Sequence, residues 1–175
     1  KVHIRQLVGL DSFEGLPEET AEKVDQDCWK KGGFDAKQLF GVNSVEEAIK
    51  KTHSIINPHI LRNMYVGHVK LIPGFYSSVL TSELIKSEDL QPASYIDVDC
   101  DIYTSTMECL DFMFKNKLAV KGTLVGYDDW GGSLGWEDCK SGESRAHKEI
   151  ADWYNVDFQL LEQVGYDYPH VQRIY

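Results

Sequence analysis

In the stretch YIDVDCDIYTST, aspartates stand at every second position: Asp97, Asp99 and Asp101. The apolar residues around them read as a buried strand. Strand side chains alternate between faces, so the three carboxylates project to one side. Left bare, they repel one another and resist burial. A second acidic pair, Asp128 and Asp129, follows the apolar run TLVGY. In open α/β sheets, ligands bind beyond the carboxyl ends of the strands, and both pairs fall at such an end. If the two strands are neighbours, Asp99, Asp101, Asp128 and Asp129 converge. A divalent cation makes such a cluster tolerable, and an all-oxygen ligand set favours Mg²⁺, Mn²⁺ or Ca²⁺ over zinc. Aspartates also cap helices and populate turns, which is the ordinary explanation of one pair; two pairs at two strand ends need two separate explanations. Asp11 has the same kind of address, in GLDSFEGLP. An acid there in a nucleotide-binding α/β fold takes ribose hydroxyls, and Asp11-Ser12 reads equally as a turn cap.

The elements that must position these residues are legible as apolar runs between turn signals. IRQLVGL (residues 4–10), HVKLI (68–72), ASYIDVD (93–99), TLVGY (123–127), FQLLEQV (158–164) and VQRIY (171–175) read as strands. Their near-continuous apolar character suits a sheet buried on both faces. NSVEEAIKKTHSII reads as a helix opened by a capping box, Ser44 with Glu47. STMECLDFMFKNK puts Met107, Leu110 and Phe114 on one face, and SRAHKEIADWY does so for Ala146, Ile150 and Trp153. Alternating strand and helix predicts an α/β domain with a largely parallel sheet, over residues 1–175. The last two strands are a turn apart and form an antiparallel pair. Residues 14–67 exceed an ordinary connection of roughly 2–6 residues. They read as a helical insertion, serving as an active-site lid, or else as padding or a dimer surface; homo-oligomerisation stays open.

Composition narrows the partners. The chain has 175 residues, enough for one domain, with 42% hydrophobic and 26% charged residues. A net charge of −10 argues against a nucleic-acid backbone or an anionic membrane, which select basic patches. No apolar run reaches the roughly 18–20 residues of a membrane helix, and no basic start precedes an apolar stretch as in a signal peptide. Cys28, Cys100, Cys109 and Cys139 lack C-x-x-C spacing and read as isolated thiols in a reducing, cytoplasmic setting. The chain opens at Lys1 rather than Met, which favours a piece of a longer protein.

In order along the chain, LDSFEGLPEE, VKLIPGFYSSVL, DCDIYTST, YDDW and SRAHKEIADW resemble the macrocin O-methyltransferase-like family. Its members are metal-dependent, S-adenosylmethionine (SAM)-dependent class I methyltransferases acting on sugar hydroxyls of natural products. The resemblance implies a Rossmann-like class I methyltransferase sandwich, with SAM and Mg²⁺ or another divalent cation as cofactors. A small-molecule hydroxyl, a sugar above all, is then the acceptor. Asp99, Asp128 and Asp129 match the family's metal ligands, and Asp101 matches its proposed general base. Asp97 falls outside the pattern and reads as structural or as a support behind the ligands. Asp11, beside Ser12, matches the ribose ligand, Gly74-Phe75 lies where a loop approaches the adenosine, and Asp99 sits at the cofactor's edge as well. A cation beside the hydroxyl lowers the cost of its developing charge, Asp101 takes the proton, and the methyl group needs in-line placement. Tyr103, Trp130, Arg145 and His147 are candidates to shape the acceptor pocket. His147 also rivals Asp101 as base, although a lone His on a helix is expected at the surface.

The departure from the family pattern is the glycine-rich strand–turn–helix unit that cradles the amino-acid end of SAM. WGGSLGW follows the Asp-Asp pair and reads as a loop beside the metal, and KKGGF lies inside the insertion. Such a unit needs roughly 30 residues, and too few precede Asp11. Two alternatives remain: a SAM-free methyltransferase-fold binding module, or a haloacid-dehalogenase-like phosphatase using D-x-D. The phosphatase also needs a Ser/Thr and a Lys on intervening strands, and one strand–helix unit fills the gap between Asp101 and Asp128.

Overall fold

The computed structural model describes residues 2–24, 29–130, 140–164 and 168–174. The chain divides into two compact units, the first formed by Lys1–Glu18 and Lys30–Val79, the second by Glu19–Trp29 and Leu80–Tyr175.

In the first unit, β1 (Val2–Asp11) and β2 (Met64–Pro73) pair in parallel, from Val2 opposite Met64 to Asp11 opposite Pro73. Parallel neighbours cannot be joined by a hairpin and need a crossover of a dozen or more residues, about the span of one helix. That crossover contains α1 (Ala36–Phe40) and α2 (Val45–Asn63), with α2 packed on β2. Much of the stretch whose length suggests an insertion is therefore the connection that a parallel pair demands, and its last residues already belong to β2. The capping box forms, with a shift: Ser44 Oγ accepts from Glu47 N (3.2 Å), while the Glu47 carboxylate reaches back to Asn43 N (2.9 Å). The helix then runs past Pro58 to Asn63. The KKGGF turn docks on the chain that leaves β1, where Leu16 N donates to Gly33 O and Gly32 N donates to Leu16 O, both at 2.9 Å. Gly15 is required there. It has φ 85°, and a Cβ on it would meet Gly33 O at 2.5 Å. Beyond β2 comes the single turn α3 (Tyr76–Val79).

The second unit begins, after Glu19–Trp29, with α4 (Ser82–Ser87), followed by β3 (Tyr95–Val98), α5 (Tyr103–Lys115), β4 (Leu124–Tyr127), α6 (Gly142–Tyr154), β5 (Phe158–Val164) and β6 (Tyr168–Ile174). Its sheet has the order β3-β4-β6-β5. β3 and β4 are parallel, and the expected antiparallel pair closes the chain, with β6 inserted between β4 and β5. Helices α5 and α6 pack on each other. The core is Val98, Ile102, Leu110, Val125, Tyr127, Ala146 and Ile150, all essentially without exposed surface.

Two expectations are corrected. Burial on both faces holds for Val125, Gly126 and Tyr127 of β4 but not for β3, where Ile96 and Val98 are buried while Tyr95 and Asp97 are exposed. The Tyr95 side chain lies over Gly126, and its hydroxyl donates to Asp97 Oδ1 (2.9 Å). On α6, Ala146 and Ile150 are buried as expected, but Trp153 is 65% exposed. Its neighbour Tyr154 makes the inner contact, stacking on Phe114 at 5.3 Å and donating to Asp111 Oδ1 at 2.7 Å. Periodicity cannot choose between adjacent aromatic positions at a helix end; the Asp111 acceptor does.

Leu110 has no exposed surface and sits where α5 meets the core. Leu110→Ala should lower the free energy of unfolding by about 2–5 kcal/mol, the cost of a truncated buried leucine. Urea denaturation followed by circular dichroism measures it, and a loss under about 1 kcal/mol would contradict this core assignment.

Candidate active site

The register of β3 on β4 builds the acidic cluster. Val98 lies opposite Tyr127, and Asp128 N donates to Val98 O (3.1 Å), which carries the ladder one step past the strands. Asp99 and Asp128 therefore leave the sheet side by side. One carboxylate oxygen from each of Asp99, Asp128 and Asp129 lies within 4.8 Å of the other two. Asp101 follows with φ 61°, a left-handed turn that Asp tolerates better than most residues and that steers the chain into α5. Burial first, then the charges of Asp129 and Asp99, push the Asp101 carboxyl up to about 7, and it shares a hydrogen bond with Asp129. Burial and the same crowding by Asp129 also raise Asp128. The structure thus brings Asp99, Asp101, Asp128 and Asp129 together, and leaves Asp97 on the exposed face of β3 with Tyr95.

Three more carboxylates belong to this region and were not anticipated from the sequence. Glu143, in the first turn of α6, has no exposed surface. Its two oxygens accept from Cys100 N (3.1 Å) and Asp129 N (3.2 Å), one from each acidic turn. Burial pushes its carboxyl well above the usual range, against the hydrogen bond from Cys100. Glu19 and Glu22 act at the helix starts. The residues preceding α5 and α6, Ile102 and Ser141, make no side-chain cap. Glu19 instead accepts from Thr104 N (2.7 Å) and Thr104 Oγ1 (2.6 Å). Glu22 accepts from Gly142 N (2.8 Å) and pairs with Arg145 (3.5 Å). Acidic residues in a loop or a first helical turn are too common to reveal such bonds in a sequence; the missing Ser, Thr, Asp or Asn cap before α5 was the one available signal.

The four acceptor-pocket candidates fall into two groups. Tyr103 donates to Glu149 Oε2 (2.6 Å), Arg145 Nε donates to Glu149 Oε1 (2.9 Å), and the guanidinium lies 4.0 Å over the Tyr103 ring. Burial and the Glu149 bond push the Tyr103 phenol up to about 12. Trp130 and His147 are buried instead, edge-to-face at 5.0 Å, each also edge-on to Tyr127. His147 is thus not the surface residue expected: its Nδ1 pairs with the Tyr127 hydroxyl at 2.8 Å and its ring meets Phe158 at 4.2 Å. A polar partner on β4 and three aromatic rings make burial of the imidazole tolerable.

In the first unit, Asp11, Ser12, Gly74 and Phe75 gather at the carboxyl ends of β1 and β2, where Gly74 N donates to Asp11 O (2.9 Å). Asp11 Oδ1 accepts from Phe13 N, while Ser12 Oγ donates to Gly15 O (2.7 Å) and accepts from Glu14 N (3.0 Å). The turn-capping role that the sequence allowed is thus realised for both residues. Gly74 has φ 137°, and a Cβ there would meet Val79 Cγ1 at 2.5 Å. WGGSLGW lies, after its first Trp, outside the described residues, as do Cys28 and Cys139. Cys100 and Cys109 are thiols that form no disulfide, and they hydrogen-bond one another. Among the described residues no helix is long and apolar enough to cross a membrane.

Parallel strands ending in acidic turns, with an antiparallel pair closing the sheet, are those of the α/β class I methyltransferase fold. The chain belongs to the macrocin O-methyltransferase (TylF) family, whose model matches residues 1–158. Similar solved structures include the calicheamicin methyltransferase CalS11 (19% identity, TM-score 0.64, 97% of this chain and 60% of that one). The O-methyltransferase NovP is similar as well (18% identity, TM-score 0.58, 97% and 60%). The apo form of CalS11, described as a TDP-rhamnose 3'-O-methyltransferase of calicheamicin biosynthesis, matches at 18% identity with a TM-score of 0.50, over 97% and 59%. The chain spans about 60% of the length of these structures. No curated protein matches it. The phosphatase alternative finds no support among these relatives.

Glu19 substitutes for a missing helix cap at α5. Glu19→Ala should cost about 0.5–2 kcal/mol of stability, the range for a lost N-cap. Differential scanning calorimetry checks this, and an unchanged melting temperature would show that water caps α5 equally well.

Proposed function

We propose that the chain carries the metal-binding part of a SAM-dependent O-methyltransferase that methylates a hydroxyl of a sugar or of a related natural-product-like small molecule. The observation that carries this is the convergence of Asp99, Asp128 and Asp129, with Asp101 beside them, at the ends of adjacent parallel strands. Family membership and the sugar methyltransferase among the similar structures support the acceptor class. Two neighbouring thiols, Cys100 and Cys109, outside any disulfide suit the reducing cytoplasm.

The donor set fits a hard divalent cation: three carboxylates, with no thiolate or imidazole among the grouped ligand atoms. Mg²⁺ held by Asp99, Asp128 and Asp129 would supply the positive charge that eases ionisation of a hydroxyl, and SAM would supply an electrophilic methyl group. Asp101 accepts the hydroxyl proton. Its support is its place beside the grouped acids, on the turn that follows Asp99 and hydrogen-bonded to Asp129, where a carboxyl can take a proton. Asp11, at the carboxyl end of β1, is the acid that would bind the ribose of SAM, and Gly74 and Phe75 at the end of β2 flank it.

Two tests follow. With TDP-rhamnose as the first acceptor probe, methyl transfer from SAM should stop in excess EDTA and return with Mg²⁺. Asp101→Asn should lower kcat by about 10²–10⁴-fold at unchanged metal affinity, the usual worth of a general base. Asp99→Asn should lose metal affinity and regain activity at high Mg²⁺. Identical rescue curves for the two variants would make both residues ligands, and turnover that survives EDTA would remove the metal altogether. Separately, Asp11→Ala should weaken SAM binding by about 1.5–3 kcal/mol in calorimetry, as for a hydrogen bond to a charged group. An unchanged dissociation constant would leave Asp11 with its turn alone.

A further inference from the structure

The cluster depends on two turns from different parts of the chain keeping their relative position, and one side chain touches both. Glu143 has no exposed surface, and its Oε1 accepts from Cys100 N (3.1 Å) while its Oε2 accepts from Asp129 N (3.2 Å). Cys100 lies between Asp99 and Asp101, and Asp129 is itself one of the three grouped acids. We infer that Glu143 is a positioning residue for the divalent cation: its carboxylate ties the Asp99–Asp101 turn to the Asp128–Asp129 turn and so sets the spacing of the ligands.

The physical case rests on where the alternatives fail. A carboxylate buried among other carboxylates costs free energy, and a core built only for stability would place an apolar side chain there. A Gln has nearly the same shape, but it offers one acceptor and one donor to two N–H groups, so one bond must be lost and two donors face each other. An Asp keeps both acceptors but is one methylene shorter, so it cannot span both turns from the same backbone position. Glu is therefore the side chain that satisfies both amides.

This inference rests on the metal reading proposed above, and the experiment separates the two. Mn²⁺ alone serves as the probe, its affinity measured by electron paramagnetic resonance at a temperature where every variant is folded by circular dichroism. The parent chain should bind one Mn²⁺, and Asp128→Asn should abolish or strongly weaken binding. Glu143→Gln should weaken Mn²⁺ roughly 10–100-fold, the usual effect of removing a partner of the ligand shell, with Glu143→Asp intermediate. Asp152→Asn, at an exposed carboxylate on the same helix, should change nothing. A parent that binds no Mn²⁺ overturns the metal reading and this inference with it. A parent that binds, with Glu143→Gln within twofold of it, overturns the role of Glu143 alone. Should both Glu143 variants fail to fold, amide exchange in the parent still decides: Cys100 N–H and Asp129 N–H must both be protected, and fast exchange at either one refutes the bridge.

Discussion

Mutual repulsion among the acids at the ends of β3 and β4 is the constraint around which the second unit is built. Two unit charges 4 Å apart repel by about 4 kcal/mol at an effective dielectric of 20, and here Asp99, Asp128 and Asp129 approach one another within 4.8 Å. Nothing in the strand register relieves this; the register creates it, because Val98 opposite Tyr127 makes Asp99 and Asp128 leave the sheet together. Burial first, and then this crowding, raises the carboxyls of Asp101 and Asp128. The helix starts do not relieve it either. The amides at the heads of α5 and α6, which could have faced the cluster, are engaged by Glu19 and Glu22. The region thus gathers further carboxylates, one of them paired with Arg145, and a cluster of this kind favours a cation over an anionic ligand, in keeping with the metal role proposed for it.

The surrounding bonds make sense as ways of holding turns that would otherwise drift apart. Asp128 N continues the β3/β4 ladder, Glu143 ties one amide from each acidic turn, and Glu22 joins the segment after Glu18 to Gly142 and Arg145. Behind these, Tyr127, Trp130 and His147 form a packed aromatic layer directly under β4's end. Rigid support of this kind is what the proposed cation role requires, because ligand spacing and site rigidity set affinity and metal choice.

What the sequence made legible was what local pattern and strand geometry determine. Strand positions followed from apolar runs, the Asp99/Asp128 neighbourhood from placing both pairs at strand ends, and the capping box from Ser44 and Glu47. What stayed hidden was decided by contacts distant in the chain. Burial of His147 depends on the Tyr127 hydroxyl, 20 positions away, and exposure of Trp153 on an acceptor at Asp111 that favours Tyr154. The bonds of Glu143 reach back 43 positions and those of Glu22 as many as 123, and nothing local distinguishes these glutamates from the many on solvated faces. The stretch at 14–67 carries the helices expected of it, α1 and α2, and part of its length is what a parallel β1/β2 pair requires of its connection.

The division between aspartate and glutamate follows the same logic. The grouped acids and Asp101 are all aspartates, whose carboxylate sits one methylene from the backbone, so its position is dictated by the turn that bears it. The acids that bridge distant segments, Glu19, Glu22 and Glu143, are all glutamates, whose extra methylene lets them span from a helix or strap to amides on another element. The longer side chain loses more rotamer freedom on fixing, up to about 1.5–2 kcal/mol, and each glutamate offsets this by accepting two hydrogen bonds: Glu19 from Thr104 N and Oγ1, Glu22 from Gly142 and Arg145, Glu143 from Cys100 and Asp129. Short acids where geometry must be inherited from the backbone, and long acids where backbone segments must be held to one another, together turn a self-repelling cluster into a site of fixed shape.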